Sequence, residues 1–121
     1  KDSDEYRART LKRLALRTQV MKLMADLGLD ALVYPHQKRL AVPVGESQVE
    51  RNGVLGSATG FPAITLPAGF SRPSASAPIG VPIGLELLGR PWSEGTLISI
   101  AYAFEQLTGF RKPPFSTPPL S

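Results

Sequence analysis

The sequence predicts an α/β fold with an N-terminal amphipathic helix, about three strands and a C-terminal helix. Three observations support this. Apolar residues recur at helical spacing near both ends of the chain. Between the ends lie short apolar runs bounded by Gly and Pro, the mark of strands. Two of those runs are separated by one short polar loop, the simplest arrangement of an antiparallel pair.

The first helix is expected from Asp4 to Leu27. Leu11, Leu14, Met21 and Met24 would form its apolar stripe. Asp4 and Glu5 suit the positive end of its dipole, and Gly28 is a natural stop. Ala31 to Tyr34 then reads as a short buried strand ended by Pro35. The stretch from His36 to Arg51 has no period and reads as an irregular loop. Asn52 to Gly60 is small and Gly-rich, a loop or one short helical turn.

A second strand is expected over Ala63 to Phe70, with Pro62 at its entry and Pro67 inside it. Proline donates no N–H to a ladder, so Pro67 suggests an edge or a bulge. The third strand is Val81 to Leu88. Val81, Ile83, Leu85 and Leu87 share one face, and Pro82, Gly84 and Glu86 the other. The last helix starts at the N-cap candidate Ser93 with Glu94 in its first turn. Leu97, Ile100, Ala101, Phe104 and Leu107 form its stripe, and Gly109 and Pro113 end it. Residues 110–121 read as an extended tail.

Composition narrows the function. The 121 residues suffice for one small domain, 42% of them apolar and 20% charged. No apolar run approaches the roughly 20 residues of a membrane-spanning helix, so no membrane partner is expected. There is no cysteine, hence no disulfide, thiolate metal site or thiol nucleophile. A cytoplasmic location fits that composition. His36 stands alone, which excludes multi-histidine sites. The net charge is +4, much of it from Arg7, Arg9, Lys12, Arg13, Arg17 and Lys22. These read as the solvated face of a helix, with no interleaved aromatics to stack on bases, so nucleic acid is not the expected partner. The chain begins at Lys1 and its first methionine is Met21, which suggests a processed chain or a piece of a longer one.

Motif chemistry is sparse. Gly56-Ser57-Ala58-Thr59-Gly60 is not a nucleophile elbow: its second glycine comes one place late and its strand follows instead of preceding. His36 follows a strand end and reads as a hydrogen-bonding loop residue. Glu46 and Glu50 share the irregular loop with Lys38, Arg39 and Arg51, and read as solvated charges. No phosphate-binding, dinucleotide or metal pattern is present, so no metal ligand is assigned.

Two stretches are more specific as a pair. "TGFPAITLPAGF" and "GVPIGLELLGRPWSEGTLISIAYAFEQLTG" resemble the C-terminal end of the amidase signature family. Its pattern Gly-x-Pro-Ala-Ile-x-x-Pro-x-Gly is matched by Gly60, Pro62, Ala63, Ile64, Pro67 and Gly69. Its pattern Gly-x-Pro-x-Gly-Leu-Gln-Leu-x-Gly-x-Pro is matched by Gly80, Pro82, Gly84, Leu85, Leu87, Gly89 and Pro91, and Glu94 supplies the acidic residue that follows. "DALVYP" resembles the family's upstream strand, and the likeness covers about Asp30 to Pro114.

The resemblance implies part of a large mixed sheet packed between helices, with residues 1–121 as one C-terminal segment. It implies a parent that splits carbon–nitrogen amide bonds of small molecules. The family's serine nucleophile, second serine and lysine lie far N-terminal to the matched region. They are not found in this sequence, so the resemblance assigns no catalytic residue, no metal and no cofactor. It implies a segment inactive by itself and, for Glu50, a place near the substrate amide. Two other readings remain. One is a portion of the aminoacyl-tRNA amidotransferase component that belongs to the same family. The other is a non-enzymatic module binding acidic partners through its basic helix. A segment separated from its parent would also expose apolar surface and self-associate.

Overall fold

The computed structural model describes residues 3–114. In chain order they form α1 (Asp4–Asp26), β1 (Ala31–Pro35), α2 (Val54–Thr59), β2 (Ala63–Phe70), β3 (Pro82–Gly89) and α3 (Glu94–Thr108). The strands make one antiparallel sheet in the order β1-β3-β2. The expected α/β class and the hairpin of the last two strands are both present. The 52–60 stretch resolves as the short helix α2. Phe115 to Ser121, the greater part of the expected tail, lies outside the described residues.

β3 is the central strand, and its alternating side chains supply both cores. Leu88 faces α1 and packs with Val20, Met24 and Phe61. Leu87 faces α3 and packs with Leu66, Leu97 and Ala101. The sheet is therefore covered by α1 and α2 on one face and by α3 on the other. Met24, Leu88 and Leu97 are the largest fully buried side chains. Burying each is worth about 1.5–3 kcal/mol.

The expected stripe on α1 is corrected by this packing. Leu11 and Leu14 are 65% and 54% exposed, and Met21 is also exposed. The inward face is Leu16, Val20 and Met24, and Arg13 and Arg17 continue it toward the N-terminus. Arg13 donates through Nε to the Ala58 carbonyl at 3.2 Å and through its terminal nitrogen to the Ser57 carbonyl at 3.1 Å. Arg17 donates to the Thr59 carbonyl at 3.0 Å and lies over the Phe61 ring. These are the last carbonyls of α2, which lack partners inside the helix. Two members of the basic face thus hold α1 to α2. Arg9 pairs with Glu5 and Lys22 with Asp26 along the helix surface.

Ser3 caps α1, its Oγ accepting from the Tyr6 N–H at 3.3 Å. α1 and α3 stop at the expected glycines, Gly28 and Gly109, both in the left-handed region. Ser93 occupies the N-cap position of α3 without a side-chain cap; its Oγ donates instead to the Arg90 carbonyl at 2.7 Å. Of the expected α3 stripe, Leu97, Ile100, Ala101 and Phe104 reach the core, whereas Leu107 is 87% exposed. Pro67 marks a break in register between Pro67 and Phe70, the irregularity its missing N–H suggested. The β2–β3 connection turns at Gly80, where φ is +85° and an added Cβ would lie 2.2 Å from the Ser71 carbonyl oxygen. Only glycine fits there.

Arg90 ties the layers together just after β3. Its Nε donates to the Leu29 carbonyl and its terminal nitrogen to the Met24 carbonyl, each at 3.0 Å. The first lies in the turn between α1 and β1 and the second in the last turn of α1. Arg90→Ala is expected to lower unfolding free energy by about 1.5–3 kcal/mol, the range for hydrogen bonds to a charged group. Arg90→Lys should recover only part of this, since one ammonium does not reproduce the fork. Urea unfolding at constant m-value checks both.

Candidate functional site

Polar side chains from three separate stretches meet at the β1 end of the sheet. Tyr34 and Glu86 are paired in register across β1 and β3, on the face that α2 covers. The alternation expected of β3 placed Glu86 opposite its apolar face. The structure instead buries Glu86 to 5% exposure, because α2 closes over that face too. The Tyr34 hydroxyl donates to Glu86 Oε1 at 2.5 Å, and His36 Nδ1 lies 2.7 Å from Glu86 Oε2. Each carboxylate oxygen thus has one partner, which is what a buried carboxylate requires.

α2 sets the position of the imidazole. An added Cβ on Gly53, just before α2, would fall 2.2 Å from His36 Cε1. Glycine at 53 is what lets the ring lie flush against the start of that helix. Asn52 completes the brace: its N–H donates to the His36 carbonyl at 2.9 Å and its side-chain amide to the Pro35 carbonyl at 2.8 Å. With Nδ1 facing a carboxylate, the proton of a neutral ring belongs on Nδ1, and Nε2 is left as the acceptor. The His36 side chain remains 39% exposed.

The exposed side of His36 borders a cleft of about 440 Å³. Gln37, Lys38 and Arg39 line it from the loop, and Pro82, Ile83 and Gly84 from the start of β3. The Gln37 side-chain oxygen is buried and has no hydrogen-bond partner among the described residues. The 36–51 loop is irregular, as expected, apart from an isolated bridge between Gln37 and Arg51.

The structure separates the other residues singled out in the sequence. Glu50 is exposed on the loop, with φ of +59°, and its carboxylate reaches Arg39 Nε at 3.6 Å. It stands next to the cleft-lining arginine but apart from the Tyr34–Glu86–His36 cluster. Ser57 sits in α2 and donates to the Val54 carbonyl, and Ser99 in α3 donates to the Gly95 carbonyl. Among the described residues neither has an imidazole or amine as hydrogen-bond partner. Among the described residues no group of three or more His, Cys, Asp or Glu could hold a metal ion. No helix among them is long and apolar enough to cross a membrane.

Glu86 was the residue that alternation alone missed. One signal was available: the resembled motif has Gln at that place, and this chain has an acid. An acid in the central strand calls for a donor, and Tyr34 in β1 and His36 just beyond it are two positions apart.

Burial raises the Tyr34 hydroxyl above its ordinary pKa of about 10, and the hydrogen bond to Glu86 and the nearby carboxylate charge add to the rise. A raised phenol favours the folded state while it stays neutral. That stability is complete below about pH 10 and is lost as pH climbs from there toward the folded-state value. Tyr34→Phe removes the titration. The urea midpoint of the native chain should therefore fall more steeply than that of the variant between about pH 9.5 and 11.5.

Comparison with known proteins gives three concordant findings. A family model described as Amidase matches residues 1–98. Curated relatives include the A subunit of the glutamyl-tRNA(Gln) amidotransferase from Dinoroseobacter shibae, 35% identical over 116 residues, covering 88% of this chain and 22% of the relative. Another is a fatty acid amide hydrolase from Arabidopsis thaliana, 44% identical over 55 residues, covering 46% of this chain and 8% of that protein. Among solved structures, the native peptide amidase from Stenotrophomonas maltophilia superposes with a TM-score of 0.74 at 34% identity, over 90% of this chain and 21% of that one. The chain spans about a fifth of the length of the full-coverage relatives it matches.

Proposed function

Because the chain belongs to the amidase signature family, we propose that it is the C-terminal portion of a hydrolase that cleaves carbon–nitrogen amide bonds of small molecules. The observation that carries this reading is the agreement of sequence and backbone with a peptide amidase over nine-tenths of the chain. In this reading the nucleophile and its proton relay come from chain outside these 121 residues. The contribution of this portion is structural: a three-stranded part of the sheet, its covering helices, and a polar loop bordering a cleft. Glu50 serves as a substrate-side residue, beside Arg39 at the rim. The reaction needs no cofactor, and the cysteine-free composition suits the cytoplasm.

A second reading is favoured by the identity to tRNA-dependent amidotransferases. There the same chemistry releases ammonia for a partner protein, and hydrolysis depends on that partner and on charged tRNA. The third reading, a basic module for acidic polymers, is weakened by the occupation of Arg13 and Arg17 at α2.

The 121-residue chain should show no turnover of small amides, and a longer chain carrying the family's serines and lysine should hydrolyse them without added tRNA. Turnover by the 121-residue chain, retained through repurification, overturns the first reading. Dependence of the longer chain on tRNA moves the assignment to the second.

The same reading predicts self-association of the isolated chain. Leu11, Leu14 and Trp92 are exposed, and the outer edges of β1 and β2 carry no strand among the described residues. Light scattering at rising concentration should show dimers or larger species; a monomer throughout counts against it.

A further inference from the structure

We propose that the cleft beside His36 binds a small organic carboxylate, with the anion held by Lys38 and Arg39 and the hydrocarbon part lying on Leu40, Ala41 and Ile83. The proposal concerns binding by this chain and stands or falls separately from amide hydrolysis.

Charge is the first observation. Among the described residues the titratable side chains lining the cleft are His36, Lys38 and Arg39, and none is Asp or Glu. A concave surface lined by one sign of charge concentrates the field on a ligand of the opposite sign. Arg39 has a carboxylate near it, that of Glu50. The contact is long, 3.6 Å to Nε, and both side chains are more than half exposed. Such a pair is weak in water and yields to a better-placed anion. The guanidinium can then meet a carboxylate through two parallel N–H bonds.

Shape is the second. A volume of about 440 Å³ lies within the usual range for small-ligand sites. The charged groups come from one side, the 36–39 stretch. Leu40, Ala41, Pro82 and Ile83 supply an apolar surface beside them. An inorganic anion would use only the first part of this lining. A carboxylate with a short hydrocarbon tail uses both.

Rigidity is the third. The loop leaves the sheet at His36, whose ring is held by the buried Glu86 and fitted against Gly53. Just beyond it, the Lys38 N–H donates to the Glu50 carbonyl at 3.0 Å. The root of the cationic segment is thus fixed before a ligand arrives, which lowers the ordering cost of binding.

The test titrates the isotopically labelled 121-residue chain with hexanoate, hexanamide and inorganic phosphate. Amide shifts are followed by NMR at low salt. Hexanoate should shift residues 36–41 and 83–84 saturably. Hexanamide and phosphate should each bind at least about tenfold more weakly, the loss of one charge-assisted contact or of the apolar one. The double variant Lys38→Gln/Arg39→Gln, on an exposed loop, should bind hexanoate about tenfold more weakly with the other resonances in place. Equal binding of hexanamide removes the role of charge, and equal binding of phosphate reduces the site to a general anion patch. Hexanoate shifts elsewhere, or none, dispose of the proposal without any variant.

Discussion

The structure depends on β3 being covered on both faces. A strand flanked on each side by another strand already has its backbone groups paired, and what remains is to remove both rows of side chains from water. Leu87 and Leu88 are adjacent in sequence and buried in different cores. Neither core exists without its helix layer, so α1 and α3 must dock on opposite sides of the same eight residues. The arginines follow from that demand. Arg90 fixes the end of α1 to the start of β1, and Arg13 and Arg17 fix α1 to the carbonyl end of α2. Arg13 and Arg17 satisfy the last carbonyls of α2, and Arg90 donates to the Leu29 carbonyl and adds a second donor to that of Met24, which already accepts from the Leu29 N–H.

The same demand explains the polar cluster. Once α2 closes over the sheet, position 86 is buried, and a carboxylate there must find donors. β1 supplies both, from Tyr34 in the strand and His36 just beyond it. The cluster therefore joins β1, β3 and the approach to α2, and it sets where the following loop begins. The cleft borders this polar junction, and its basic lining follows directly from the residues that leave it.

Much of this was legible residue by residue. Strand limits came from apolar runs and their prolines, the hairpin from the short polar loop, and the helix ends from Gly28 and Gly109. The stripe of α3 was readable because that helix has one apolar face. α1 was not, and the reason is specific. Its inward face runs through Arg13, Arg17, Val20 and Met24, so two of its positions are charged. The competing face through Leu11, Leu14 and Met21 looks more apolar and is exposed. Local periodicity cannot see that Arg13 and Arg17 will meet the carbonyls of α2, 44 and 42 positions later. Glu86 was misread for a related reason: strand alternation assumes one wet face, and this central strand has none. The cleft depends on how the loop returns over β3, which no local spacing encodes.

The connectivity of the sheet also dictates an order of assembly. β2 and β3 are joined by a short loop, whereas Tyr34 and Glu86 are 52 positions apart and Arg90 and Met24 are 66 apart. Loop closure disfavours the longer contacts, and they gain nothing until their partners are placed. The hairpin and the following α3 can collapse on Leu66, Leu87 and Leu97 by themselves. Of these elements α1 is then the last to find its place, since its partners Leu88, Phe61 and Arg90 all follow it in the chain. Until it docks, Arg13 and Arg17 make its inward face less apolar than a wholly hydrophobic stripe would be. Charged residues on the inward face thus serve the unfolded chain as well as the folded one.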